Sequence, residues 1–289
     1  MYAITGITGK VGGALAASLL AASLPVRAVV RDATKGAAWS ISGCEVALAD
    51  MNDATALAAA FAGAEAVFIL PPSEFDPTPG YGQARQTIDA IVAALLAARP
   101  GKVLCLSTIG ADATQDNLLT QRTLLEQALS ALPIPVTFLR PGWFLENSLW
   151  DVASAREDGV IHSFLAPLDR PIPMVATKDI GTLAARLIQE DFKGQRVVEL
   201  EGPRRVSPND LAAAFAKALG RPVRAEIVPR DNWETMFRSQ GANNPYPRIR
   251  MLDGFNEGWI EFSDGGANAL KGSTDAETVI AALVQRDAA

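Results

Sequence analysis

Mostly apolar runs alternate with helix-period stretches through the first half of the chain. The runs at 2–5, 26–30, 45–48, 65–70, 102–107 and 135–139 predict strands covered on both faces. Alanine-rich segments at 11–22, 53–61, 80–99 and 118–131 predict helices between most of them. Pro100-Gly101 ends the long helix, and Pro133 and Pro135 precede the sixth strand. This alternation predicts an α/β fold built on a doubly wound parallel sheet. Past Pro141 the pattern loosens into aromatic residues, prolines and short elements, as in a smaller, discontinuous C-terminal substrate lobe. Met174-Val175-Ala176, the helix from Lys178 to Gln189 and the strand from Arg196 to Leu200 read as a return to the core sheet. Ser207 with Asp210 and Thr274 with Glu277 have capping-box spacing, the first weaker because aspartate reaches less far than glutamate.

The first strand runs into Gly6-Ile7-Thr8-Gly9-Lys10-Val11-Gly12 and then a helix. A turn of this kind aims free backbone N–H groups and the positive end of a helix dipole at a pyrophosphate. Gly6 permits the tight turn, Gly9 lets a ligand reach the backbone, and Gly12 lets the helix pack on the sheet. The motif makes the sheet Rossmann-type, with 1–142 as a nucleotide-binding domain joined by 171–201, and 143–170 with 202–289 as the smaller α/β lobe. Nineteen positions after Gly12, at the end of the second strand, stands Arg31 rather than an acid. A guanidinium there suits a 2′-phosphate, so NADP(H) is expected over NAD(H), with Asp32 beside it as a complication. The alternative is a solvated arginine at a strand end.

The 289 residues are 49% hydrophobic, enough for a large core, and a net charge of −6 argues against nucleic acid as a partner. Cys44 and Cys105 fall at or near buried strands and read as reduced core residues. The glycine motif occupies the place a signal peptide would take, and the apolar stretch at Ile88–Ala98 is too short to span a bilayer. A cytoplasmic protein, monomer or homodimer, with no membrane partner is expected. His162 is the only histidine, which removes a serine–histidine hydrolase and most histidine metal sites. No metal and no flavin are expected.

The chain resembles the NmrA-like, atypical short-chain dehydrogenase/reductase family, which includes NADPH-dependent quinone and azo-dye reductases. Thr5-Gly6-Ile7-Thr8-Gly9-Lys10-Val11-Gly12 is similar to that family's cofactor loop, and Val26 to Asp32 to its second strand. Asp50-Met51 resembles the adenine-contacting position, Ile69-Leu70-Pro71-Pro72 the end of the fourth strand beside the cofactor, and Leu139-Arg140-Pro141-Gly142-Trp143-Phe144-Leu145-Glu146-Asn147 the hallmark segment. The resemblance implies a cofactor site at Gly6, Thr8, Gly9, Lys10, Val11, Gly12, Arg31, Asp50, Met51, Leu70, Pro71, Pro72, Pro141, Gly142 and Trp143.

The chain departs from the wider superfamily in catalysis. Tyr2, Tyr81 and Tyr246 are its only tyrosines, and none has a lysine four residues later to complete an acid pair. Arg122 stands where relatives often carry lysine or histidine. It holds its proton at neutral pH, so it orients substrate, balances charge, or simply pairs with Glu126. Ser107 and Thr108, just past the fifth strand, are the available hydroxyls, each equally able to brace the loop. Phe75, Phe144 and Trp150, with Trp143, supply aromatic surface for a flat acceptor, whereas Trp233, Phe237, Phe255 and Trp259 read first as lobe core. Asn147 braces the loop or contacts substrate. Without the acid pair, alcohol oxidation is hard to support, whereas a quinone takes its protons from water once positioned for hydride. The preferred reading is an NADPH-dependent oxidoreductase acting on a quinone or similar electron-poor aromatic compound. A non-catalytic NADP-binding redox sensor of the NmrA type is the alternative.

Overall fold

Tyr2, Ala3 and Ile4 are all buried, as a strand sandwiched between helices requires. They form β1 (Tyr2–Ile4) of a computed structural model that describes residues 1–286. Five further strand–helix alternations follow: α1 (Lys10–Ala21), β2 (Val26–Val30), α2 (Ala33–Ile41), β3 (Glu45–Leu48), α3 (Ala54–Phe61), β4 (Ala66–Ile69), α4 (Gly82–Ala98), β5 (Lys102–Leu106), α5 (Thr120–Ser130) and β6 (Val136–Pro141). The remainder is β7 (Trp143–Phe144), α6 (Val152–Glu157), β8 (Val160–Ser163), β9 (Met174–Val175), α7 (Thr177–Leu187), β10 (Gln195–Glu201), α8 (Pro208–Leu219), β11 (Arg224–Ile227), α9 (Trp233–Ser239), α10 (Tyr246–Glu257), β12 (Leu270–Lys271) and α11 (Ala276–Arg286).

Among the described residues the main sheet has eight strands in the order β12-β10-β6-β5-β4-β1-β2-β3. β1 runs parallel to β2 and β4, so the chain reverses its winding at β1. Leu57, Phe61, Ile91, Leu95, Leu125 and Leu129 fill the layer formed by α3, α4 and α5 over the strands. On α1 the close approach is made by α7: a Cβ on Gly181 would stand 2.4 Å from the Cβ of Ala14. Cys44 and Cys105 are both free and buried.

The chain forms two compact units. One comprises Met1–Ala111, Thr120–Arg140 and Ile180–Val198; the other Asp112–Leu119, Pro141–Asp179 and the chain from Glu199 onwards. Residues 171–179 therefore group with the second unit, not the first. Met174-Val175 does not rejoin the main sheet but pairs with Trp143-Phe144 in a two-stranded ladder. Two residues carry too little pattern to reveal which sheet they join.

α2 is an element that periodicity does not reveal. Gly36 is its one buried residue, and a Cβ there would stand 2.8 Å from Val46 Cγ1, so its closest contact with the sheet is made without a side chain. The two capping-box expectations come out in reverse order of strength. Ser207 and Asp210 form a complete box at the start of α8. The Thr274 hydroxyl instead donates to Asp179 at 2.8 Å, and Glu277 pairs with Arg204.

Candidate active site

The turn from β1 into α1 lies within the first unit. Gly6 has φ +63, the left-handed region where a side chain is strained, and Gly9 N–H donates to its carbonyl at 3.0 Å. Gly9 is the N-cap residue of α1, makes no side-chain cap, and is followed by a first turn with no acid. A Cβ on Gly12 would lie 2.3 Å from the Gly6 carbonyl oxygen. The lack of a side chain at Gly12 therefore serves the turn itself, and the close helix packing expected of it belongs to Gly181. Thr8, Gly9 and Lys10 are exposed and Val11 is buried. The result is a helix start with unsatisfied N–H groups, room only for backbone, and the Lys10 cation beside it.

Arg31 follows β2 and is exposed, with no hydrogen bond or ion pair among the described residues. Its neighbour Asp32 is engaged elsewhere: its Oδ1 accepts from the Thr34 N–H at 2.8 Å and the Thr34 hydroxyl at 2.7 Å, capping α2. Those bonds hold the Asp32 carboxyl below its ordinary pKa. The acid that complicated the NADP reading is thus the cap of a helix, and the guanidinium is the free group. Asp50 is exposed and its Oδ1 accepts from Asn52 N–H at 2.9 Å, while Met51 packs against the α3–α5 layer. The Thr5 hydroxyl donates to Phe68 O at 2.9 Å and accepts from Leu70 N–H at 2.8 Å, which fixes the end of β4 beside Gly6. Pro71 is buried and Pro72 exposed.

Of the candidate proton donors, Ser107 is 4% exposed and its hydroxyl donates to Glu126 Oε1. Glu126 is held in a fork by Arg140, Nε to Oε1 at 2.9 Å and Nη2 to Oε2 at 2.7 Å. Ser107 braces β5 against α5 and β6, and its proton already has an acceptor. Arg122 does not pair with Glu126, contrary to one expectation, because Arg140 occupies that carboxylate. Arg122 Nη2 donates to Pro71 O at 2.9 Å and Ser73 Oγ at 2.8 Å, and burial pulls its pKa below the ordinary value. Beside it is a cleft of about 80 Å³ lined by Pro71, Ser73, Glu74, Thr87 and Gln121 among others. That is well below the ~300 Å³ at which small-molecule sites begin, so the cleft does not hold a whole aromatic acceptor. Thr108 is half-buried, with no side-chain hydrogen bond among the described residues.

In the second unit, Gly142 has Pro173 O 2.5 Å from where a Cβ would stand, and Gly142 N–H donates to Leu200 O at 2.8 Å. Pro141 is buried, and Trp143 meets Phe255 edge to face at 5.3 Å. Glu146 receives the Thr177 N–H at 2.9 Å, holding the first residue of α7, a role the sequence does not announce. Phe144 and Asn147 are half-buried, and no protein partner engages the Asn147 amide among the described residues. Trp150 is 70% exposed and, in the first unit, Phe75 is 61% exposed, so neither is core. Trp233, Phe237 and Phe255 are core, as the simpler reading had them. Asp151, four residues after Asn147, was not foreseen: burial raises its carboxyl to about 7.

A sheet ordered β3-β2-β1-β4-β5-β6 with a bare glycine turn after β1 defines a Rossmann-type nucleotide-binding protein. The chain belongs to the NmrA-like family, which it matches over residues 2–278. It is 30% identical over 244 residues to an NAD(P)H azoreductase of Xenophilus azovorans, covering 83% of this chain and 82% of that one. It is 30% identical over 243 residues to quinone oxidoreductase 2 of Escherichia coli, again 83% and 82%. The crystal structure of the E. coli NADPH-dependent quinone oxidoreductase complexed with NADPH is similar with a TM-score of 0.74 at 27% identity, covering 99% of this chain and 95% of that one. Among the described residues no helix is long and apolar enough to cross a membrane.

Proposed function

We propose that the chain is an NADPH-dependent reductase that passes hydride to a quinone or similar electron-poor aromatic acceptor. The observation that carries this reading is the pairing of the bare α1 turn with Arg31, left free because Asp32 caps α2. The donor set fits NADP(H): N–H groups and Lys10 for the pyrophosphate, a guanidinium for the 2′-phosphate, and no room at Gly12 for anything larger than hydrogen. NADPH supplies a hydride when bound.

The chain's own residues bind and orient. Asp50, Met51, Leu70, Pro71 and Pro72 flank the cofactor in the first unit. In the second unit Phe144, Asn147 and Trp150 receive the acceptor. Arg122 fixes the loop after β4 through Pro71 and Ser73. Ser107 Oγ keeps its proton on Glu126, so a hydroquinone obtains its remaining proton from water or from Thr108. In this reading Met1–Ala111 with Thr120–Arg140 and Ile180–Val198 hold the cofactor. The NAD(P)H azoreductase and quinone oxidoreductase relatives support the reaction class.

The test follows nicotinamide absorbance with NADPH and, separately, NADH against a quinone panel. NADPH-preferring turnover is expected, and Arg31→Ala is expected to weaken NADPH by about 10- to 100-fold while sparing NADH. Tight NADP binding without turnover on any acceptor overturns the reductase in favour of a sensor.

A further inference from the structure

A buried side-chain oxygen or nitrogen without a hydrogen-bond partner is rare in a folded chain. Among the described residues there are two, Glu74 Oε2 and Arg196 Nη2. The second belongs to a guanidinium already bonded through Nε to Thr137 and through Nη1 to Glu190. The first has no such support, since no hydrogen bond or ion pair engages the Glu74 carboxylate among the described residues. Glu74 lines the cleft of about 80 Å³ beside Arg122, and every residue lining that cleft lies in the first unit.

The cleft is held open by two neighbours at the start of α5. Gln121 Oε1 accepts from Glu74 N–H at 3.1 Å, and Gln121 Nε2 donates to Glu74 O at 2.8 Å. Arg122 Nη2 grips Pro71 O and Ser73 Oγ. The loop after β4 is thus clasped at both ends, with Glu74 and Arg122 on one cleft and not in an ion pair. Arg122 Nε and Nη1 have no acceptor among the described residues. The lining therefore offers guanidinium donors and a carboxylate acceptor. An anion there meets Glu74 and a cation meets Arg122, whereas a neutral group that both accepts and donates satisfies the two. A water takes roughly 30 Å³, so the volume matches a group of about three heavy atoms, the size of a carboxamide, and a lone hydroxyl underfills it. The place also suits the cofactor. Leu70 Cδ2 lies 3.1 Å from where a Cβ on Gly6 would stand, so Pro71, which lines the cleft, is one residue from the glycine turn. That is the β4 side of β1, where the winding reverses.

We propose that this cleft receives the primary carboxamide of the nicotinamide, Arg122 donating to its oxygen and Glu74 Oε2 accepting from its nitrogen. This rests on the NADPH reading above. The volume admits the amide and not the ring, and Glu74 makes the cleft selective for an amide over a ketone, which has no N–H to give.

The experiment titrates the natural chain, Glu74→Met and Glu74→Gln calorimetrically with NADP⁺ and with its 3-acetylpyridine analogue, which keeps the carbonyl and carries a methyl group in place of the amide nitrogen. The natural chain is expected to prefer NADP⁺ by about tenfold, because the analogue leaves a buried acceptor unpaired. Glu74→Met removes that acceptor, and the preference is expected to fall to about twofold or less. Glu74→Gln keeps an acceptor oxygen without the charge, so an intermediate preference is expected, and it serves if the methionine variant does not fold. Equal affinity for the two dinucleotides in the natural chain, or an unchanged preference in both variants, overturns the proposal. If the natural chain binds neither dinucleotide, the NADPH reading fails on its own, and nicotinamide and nicotinate are then compared by saturation-transfer NMR. A nicotinamide signal that exceeds that of nicotinate and is lost in Glu74→Met upholds the carboxamide site, whereas equal signals, or none with the natural chain, overturn it.

Discussion

The helices α1 and α8 begin in opposite ways. At α8 the Ser207 hydroxyl accepts from Asp210 N–H at 3.1 Å and the Asp210 carboxylate accepts from Ser207 N–H at 2.8 Å, with Pro208 in the first turn. The box satisfies the helix from within the chain. At α1 the cap is Gly9, nothing closes the first turn, and Gly12 permits a carbonyl where a side chain would stand. The difference separates architecture from the proposed function: where the fold alone is at stake, donors find partners inside the chain, and the open donors of α1 are the ones proposed to take a ligand as their acceptor.

The largest expected effect falls on the closed side of this comparison. Glu126 and Arg140 are a buried pair with side chains 11% and 9% exposed. Glu126→Ala removes the carboxylate that the buried Arg140 guanidinium grips in a fork and to which the Ser107 hydroxyl donates. A loss of about 3–5 kcal/mol is expected in urea unfolding. A loss near zero would mean that water replaces the carboxylate and that the network is not closed. Next comes the open side. Gly12→Ala forces Cβ against the Gly6 carbonyl, and about 3 kcal/mol of destabilisation with loss of NADPH binding is expected. Retained binding, followed by nicotinamide fluorescence, would show that the turn relaxes.

These two sites differ in how much the sequence discloses. The strand runs are legible because parallel strands covered on both faces need apolar residues throughout, as in Val103-Leu104-Cys105-Leu106, each at most 2% exposed. The glycine turn is legible because its constraint is local. The Glu126–Arg140–Ser107 network joins an α5 residue to the ends of β5 and β6, and no spacing announces it. Arg122 looked like the partner of Glu126 because four residues make one helical turn. Only the fold shows Arg140 in that place and Arg122 turned to Pro71. α2 is hidden for a related reason: its inward contact is Gly36, so the visible signal is reduced to the Asp32 cap.

Asp151 is an open group in the second unit. Its carboxyl is raised to about 7 by burial, and no partner offsets that among the described residues. Because the folded value lies above the unfolded one, the protonated form favours the fold. That contribution is full below the ordinary carboxylate range and is lost as pH rises through about 7. Asp151→Asn removes the titration. Relative to the natural chain it is expected to gain on the order of 2 kcal/mol between pH 5 and 8 in urea unfolding, after allowance for partial solvent access. Parallel pH profiles would show the carboxyl to be solvated like a surface acid.

The smallest effect is the sharpest test, because it exchanges the two helix starts. Ser207→Ala removes the α8 cap, and about 1 kcal/mol is expected to be lost with no change in NADPH affinity. Gly9→Asp installs a cap on α1. The backbone there, φ −87 and ψ 172, suits any residue, and a Cβ would lie 3.2 Å from Gly6 O, close enough to need a small shift. The new carboxylate would accept the N–H groups at the helix start and place a negative charge where the pyrophosphate is proposed to sit. The unliganded protein is expected to gain up to about 1 kcal/mol while NADPH binding weakens by tenfold or more, roughly the effect of one lost charge-assisted contact with added repulsion. Opposite signs for stability and binding at one residue would show that the open donors of α1 are held for a ligand. If both fell together, Gly9 would be a packing residue, and the contrast with α8 would carry no functional meaning.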